Sequence, residues 1–374
     1  MKACEFLIVY HARRYRGFYD VILDWIAENL PEHRSRFETA KLPCRLRASN
    51  QYRLLIPWLQ DPVEAWSGRT YRHAVELGAR CDQAGIPIIN RVDRLSRAAK
   101  LQGSELIRET GLRTPKTFRI TDPQAFHESF FGLQFPFFVR EDFGHGKQMV
   151  RADTPDEARK IPLREFTRPV AVELIDSSSP TDKLYRKYRY VVAGDFGVAH
   201  HLQVSHGWIT RGRNRVVNDI TRSEELNYIN APCGLHPAFQ KAKRALGLDF
   251  VAFDYSLDHR GMPIIWEANP YPSIHFSKRD LVYRNEAVHR TIAIVVASYF
   301  RAAAVDMPSE LAAYLSAENS ISCSGCLPIA DHPVPSWKTP PTRPKTRWPA
   351  LRFPFFSRRA AAGESNNMAR PKAD

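Results

Sequence analysis

The chain has 374 residues, 44% hydrophobic and 25% charged, which excludes whole-chain disorder and leaves room for two or three folded units. Lys and Arg outnumber Asp and Glu by 54 to 40, a formal charge of +14 that suits an anionic ligand such as a nucleotide, or an acidic polymer. No apolar run approaches the ~20 residues of a membrane span, residues 6–10 are too short for a secretory leader, and six scattered cysteines make no disulfide framework, so a cytoplasmic protein is expected.

In chain order, residues 5–10 read as a short apolar strand. Residues 18–30 have helical spacing (Phe18, Val21, Ile22, Trp25, Ile26, Leu30) that stops at Pro31. Residues 53–58 read as a strand, 71–83 as a helix and 86–89 as a third strand. This alternation predicts a small open α/β sheet with parallel pairs, assigned to residues 1–90. A helix follows over about 93–110, ending at Gly111. From Pro136 the pattern turns to hairpins. Strands at 137–140 and 148–151 flank Gly144-His145-Gly146, 170–175 is a strand, and 188–193 and 196–201 close on Gly194-Asp195. Hairpins with helices predict an α+β region over 91–316, with a buried helix around 291–300. Residues 317–374, rich in proline and basic side chains, cannot bury enough apolar surface and are expected to be a disordered tail.

The most informative stretch is FVAFDYSLDHRGMPIIWEANPYP, residues 250–272, two strands joined by Asp258-His259-Arg260-Gly261. Alternation puts Val251, Phe253 and Tyr255 on one face with Ile264 and Trp266. Asp254, Glu267 and Asn269 take the other. If Leu257 pairs with Met262, Asp254 lies opposite Ile265 and diagonal to Glu267, and a one-residue slip would bury the carboxylates. Oxygens of Asp, Glu and Asn converging on one surface suit Mg²⁺, which takes one or two carboxylates and leaves positions for water and phosphate. Upstream, FPFFVREDFGHGKQMV combines a strand, Arg140, a glycine-containing loop and Lys147, a pattern that lets backbone amides and cations approach phosphate. VAVELIDSSSPTD then supplies Glu173 and Asp182.

In this order (Lys100 then GLRTP, FPFFVR with its glycine loop, VELI, a downstream Asp, and FDY…EANPYP) the chain resembles the ATP-grasp superfamily over roughly residues 90–274. Its carboxylate–amine ligases, such as the ribosomal-protein glutamate ligase and D-alanine–D-alanine ligase types, are the nearest in pattern. The resemblance implies an ATP-grasp fold, with the first 90 residues as the α/β domain that precedes it. It also implies an ATP- and Mg²⁺-dependent ligase, Mn²⁺ being an acceptable substitute, that joins a small-molecule or peptide carboxylate to an amine through an acyl phosphate. Asp254, Glu267 and Asn269 would hold the metal. Lys100, Arg140, Gly144, Gly146 and Lys147 would face the phosphates, Glu173 with the Leu174–Ile175 backbone the adenine, and Asp182 the ribose. Arg211, Arg213 or Arg215 would steady the transferred phosphate, a transfer governed by positioning and electrostatics. Arg140 stands where these enzymes usually carry lysine. An ATP-binding protein without turnover and a kinase on the same fold remain open as alternatives.

Other features carry less. Cys323 and Cys326 have half of a zinc-knuckle spacing with no second pair, and His200, His201 and His206, near strands, read as ordinary surface or partly packed histidines, with a substrate contact as the alternative. Nucleic acid is not an expected partner. The basic tail, with Trp337 and Trp348, is the part suited to acidic surfaces, and a homo-oligomer is compatible with the composition.

Overall fold

The computed structural model describes residues 4–11, 17–47, 51–143, 149–210, 214–324 and 334–341. The chain divides into two compact units, Met1–Pro340 and Pro341–Asp374, and only the first is described beyond a single residue.

The strands are β1 (Phe6–His11), β2 (Phe37–Leu42), β3 (Leu54–Trp58), β4 (Thr117–Arg119), β5 (Phe137–Glu141), β6 (Met149–Ala152), β7 (Pro169–Glu173), β8 (Tyr185–Ala193), β9 (Phe196–Ser205), β10 (Phe250–Leu257), β11 (Pro263–Asn269) and β12 (Ile321–Cys323). The helices are α1 (Gly17–Asn29), α2 (Val63–Trp66), α3 (Gly68–Gln83), α4 (Lys100–Arg108), α5 (Pro123–Ser129), α6 (Pro155–Arg159), α7 (Asp219–Asn230), α8 (His236–Leu246), α9 (Asn285–Ala302) and α10 (Ser309–Ala317).

Three sheets result. The first is parallel, in the order β2-β1-β3, as the strand–helix alternation predicts. The expected strand at 86–89 is reduced to one bridge, Leu55 with Ile88, while β2 was not anticipated. The second sheet, antiparallel, runs β11-β10-β8-β9-β12, and the third β4-β7-β5-β6. The fold is thus α/β followed by α+β.

Helix α9 is buried on every side from Ala287 to Phe300, its His289, Arg290, Thr291 and Ser298 included. One core packs it between the first sheet (Phe6, Ile8, Ile56) and the second (Val191, Ala193, Ala252). A second core, on the other face of the second sheet, gathers Tyr190, Val192, Val251, Phe253 and Tyr255 with Phe239 of α8. The third sheet has its own aromatic core around Phe126, Phe130 and Phe137.

Two expectations need correction. The single helix over 93–110 is a 3₁₀ segment, Val92–Ala98, followed by α4, broken at an extended Ala99. The break places Lys100 at the start of α4, where the Leu101 amide donates to the Asp142 carboxylate at 2.9 Å. A carboxylate from 41 residues away therefore caps this helix, a contact that local spacing does not contain. Described residues of the stretch expected to be a tail from 317 are also seated in the fold. β12 extends the second sheet alongside β9, and Trp337 packs against Trp25 and Tyr314, with ring centroids 4.9 and 5.1 Å apart. Lys338 and Asn29 exchange two backbone–side-chain bonds.

Near residue 90, Asn90 is a staple. Its side chain accepts from the Asp249 and Phe250 amides and donates to the Phe250 and Pro270 carbonyls. Its φ of +50° is one that asparagine tolerates better than most residues. Short range thus gives way to a contact that ties the strand leaving the first sheet to β10 and to the exit of β11.

Candidate active site

The site is built across the second sheet. β10 and β11 pair so that Asp254 stands directly opposite Glu267 and Ala252 opposite Asn269. The expected register, with Leu257 opposite Met262, is off by one, because Leu257 pairs with Pro263. The slip does not turn the carboxylates onto the apolar face. A bulge between Asp254 and Tyr255 leaves Trp266 as one extra residue on β11, which restores Glu267 to Asp254. Trp266 leaves the apolar face predicted for it and donates its indole N–H to Ser256 Oγ at 2.8 Å, while Ile265 joins the core beside Tyr255.

Alternation carries the same face onto β8, where Arg189 pairs with Asp254. Arg189 binds Asp254 through Nε and Nη2 at 2.7 and 3.0 Å, and Lys187 Nζ reaches Oδ2 at 3.2 Å. From α4, Lys100 Nζ binds Glu267 Oε2 at 2.6 Å. Lys100 and Asp254 are only 6% and 5% exposed. Arg140, on β5 of the third sheet, acts electrostatically on both Lys100 and Glu267.

Burial pushes Lys100 down to about 8, with Glu267 opposing. Burial alone would raise both carboxyls. Arg189 and then Lys187 instead hold Asp254 well below the usual carboxylate range, and Lys100, with Arg140, holds Glu267 below it. Two ionised carboxylates therefore sit among Lys100, Arg140, Lys187 and Arg189, an excess of positive charge suited to a polyphosphate. As donors they fit a hard divalent ion: ionised, oxygen-bearing and paired across adjacent strands. Asn269 is buried on β11, and its Oδ1 accepts from the Tyr271 amide at 2.8 Å.

The other expected residues are placed unevenly. Glu173 ends β7, and its Oε2 accepts from the Lys116 amide at 2.9 Å; Leu174 and Ile175 follow, half-buried. Asp182 is gripped by Arg186, at 3.1 and 2.7 Å, and by the Leu184 amide, and Arg186 also binds Glu224. Arg215 turns to Glu225, 3.3 Å away, a buried carboxyl shared with Arg284, Tyr283 and the Leu202 amide. Gly144, Gly146, Lys147, Arg211 and Arg213 lie outside the described residues.

Sequence reasoning missed Lys187, Arg189, Asp142 and Arg119, which bridges Asp142 at 2.5 Å. The signal for the first two was present. In YRKYRY they stand two apart, on the face that alternation assigns to Asp254 once β8 lies beside β10.

Comparison by sequence finds no matching family profile and no curated relative. Comparison of structures is decisive for the fold. The D-alanine–D-alanine ligase of Bacillus anthracis complexed with ATP superposes with a TM-score of 0.52 at 13% identity, over 81% of this chain and 98% of that one. The chain has the ATP-grasp fold. The VanG D-Ala:D-Ser ligase of Enterococcus faecalis agrees, with a TM-score of 0.51 at 13% identity over 80% of this chain and 100% of that one. So does an ATP-grasp RimK domain protein of Sphaerobacter thermophilus, with 0.50 at 14% identity over 79% and 99%. In this ATP-grasp fold the Asp254–Glu267 pair lies on the second sheet, and Arg140 reaches it electrostatically from the third. No helix among the described residues is long and apolar enough to cross a membrane.

Proposed function

We propose that the protein is an ATP- and Mg²⁺-dependent ligase that joins a carboxylate to an amine through an acyl phosphate. The observation that carries this reading is the pair of ionised carboxylates, Asp254 and Glu267, enclosed by four cations. The pair, with Asn269, would hold a divalent ion, which supplies charge neutralisation to transferring phosphate oxygens. Lys100, Arg140, Lys187 and Arg189 supply fixed positive charge and hydrogen-bond donors for the triphosphate and for a substrate carboxylate brought beside it. Phosphoryl transfer of this kind depends on positioning and electrostatics, and both are preorganised here by strand register and buried ion pairs. The fold shared with D-alanine–D-alanine ligase and the RimK domain protein supports the reading.

The test supplies ATP, Mg²⁺ and hydroxylamine with a broad panel of carboxylic acids and measures hydroxamate and ADP. A hydroxamate that depends on ATP and on the acid is expected. None across the panel refutes ligase activity. Glu267→Gln should abolish most Mg²⁺-dependent turnover in a folded protein, and retained turnover would place the site elsewhere. A second reading, nucleotide binding without turnover, is favoured by the three cationic contacts already made to Asp254. Tight Mg²⁺–ATP binding by calorimetry, with no ADP released in any mixture, would support it.

A further inference from the structure

The row of charged residues does not stop at Arg189. β9 pairs with β8 so that His201 faces Arg189 and Gln203 faces Lys187. Across the sheet the order is Glu267, Asp254, Arg189, His201, and at about 4.8 Å per strand the last is roughly 10 Å from Asp254. A bulge between Arg189 and Tyr190 leaves His200 as the extra residue of β9. His200 turns to Thr291 of α9, with Nδ1 2.8 Å from its hydroxyl, and His201 keeps the level of Arg189.

The Nε2 of His201 and the Oε1 of Gln203 are shut off from solvent and have no hydrogen-bond partner among the described residues. Buried polar groups are ordinarily paired, and an unpaired one in a native fold calls for a ligand or another explanation. After burial itself, Arg189, with His200, Lys187 and Arg215, keeps the His201 imidazole neutral.

The chemistry selects among ligands. Cationic donors are already plentiful here. Gln203 adds an oxygen lone pair, and the neutral His201 imidazole adds one at Nε2 in the tautomer that carries its proton on Nδ1. A phosphate or carboxylate oxygen would meet the Gln203 oxygen lone pair to lone pair. An ammonium would be repelled by Lys187, Arg189 and Arg215. A neutral amine satisfies both demands, since its N–H groups can donate to Gln203 and His201 and it carries no charge. That is also the form in which an amine is nucleophilic.

We propose that His201 and Gln203 receive the amine acceptor as an uncharged N–H donor, beyond the cations that face phosphate. The assignment rests on the ligase reading above. The experiment uses an acid identified by the hydroxamate screen and compares two nucleophiles: hydroxylamine at high concentration, which needs little binding, and the fastest amine from a panel of free amino acids and primary amines. In Gln203→Leu and His201→Phe, the ratio of amine-dependent to hydroxylamine-dependent ADP release should fall about tenfold each, the effect of roughly one lost hydrogen bond, through a raised KM for the amine. His201→Gln, which keeps a lone pair, should recover most of the ratio. Thermal melting and Mg²⁺–ATP calorimetry show whether each variant is folded.

Unchanged ratios in folded Leu and Phe variants overturn the proposal, as does equal loss with both nucleophiles, which would put these residues on the phosphate side. An unaltered protein that forms hydroxamate yet accepts no amine of the panel also overturns it. No hydroxamate from the unaltered protein removes the ligase reading itself, a separate result.

Discussion

The two carboxylates should differ sharply in what they contribute to stability, because their cationic partners differ in what they can do when abandoned. Glu267→Gln leaves Lys100, 6% exposed, without its counter-charge. Lysine has an escape, since it can shed its proton. Lys100 already stands at about 8 against an ordinary 10.5, so at pH 7 only the interval from 8 to 7 remains before it becomes neutral. That interval is worth about 1.4 kcal/mol, and it caps this part of the cost. Asp254→Asn leaves Arg189, and arginine cannot deprotonate in a protein. An uncompensated, largely buried guanidinium costs about 3 kcal/mol or more. Urea unfolding at pH 7 without nucleotide measures both. Raising the pH to 9 should erase the Lys100 part of the Glu267→Gln penalty, because the lysine is then mostly neutral in the parent too, and should leave the Asp254→Asn penalty in place. An Asp254→Asn variant no less stable than Glu267→Gln, or a Glu267→Gln penalty that grows with pH, would refute the reasoning.

Further outcomes follow from other contacts. Burial holds His200 at about 3, below an ordinary 6.5, so it contributes stability above pH 6.5 that is lost as the pH falls toward 3. By pH 5 that loss is about 2 kcal/mol, visible as a falling Tm that His200→Gln should flatten. Trp337→Ala removes the tilted and edge-on ring contacts with Trp25 and Tyr314 and should cost about 2 kcal/mol in a urea titration, whereas a residue of a disordered tail would cost nothing. Asn90→Ala breaks four hydrogen bonds to buried backbone and should cost about 3 kcal/mol by the same measurement, with Asn90→Asp no adequate substitute because it lacks the amide donors.

Legibility in the sequence tracked how local each cause was. The strands of both hairpins, the parallel first sheet and the buried α9 follow from alternation and apolar runs, which adjacent residues set. The face shared by Asp254, Glu267 and Asn269 was readable for the same reason, although the register was not. Nothing in IIWEAN announces that Trp266 is spare, since that depends on Ser256 offering its hydroxyl across the strand. The break at Ala99 depends on Asp142, and the docking of residues 334–340 depends on Trp25, Asn29 and Tyr314. A proline-rich segment has no apolar period, yet a single tryptophan with aromatic partners is enough to seat it. Helices α7 and α8 went unread, although the Asn218 capping box and the left-handed Gly247 mark their limits.

Both hairpins of the second sheet keep one supernumerary residue between their turn and the charged row: Trp266 inward of Asp258–Gly261, and His200 inward of Gly194-Asp195. Each acts as slack. A turn shortened or lengthened by a residue can be taken up there, by straightening or enlarging the kink, before the displacement reaches Glu267 or His201. The two turns lie at opposite ends of the sheet, and each is thereby free to vary in length while the geometry of the charged row between them stays insulated.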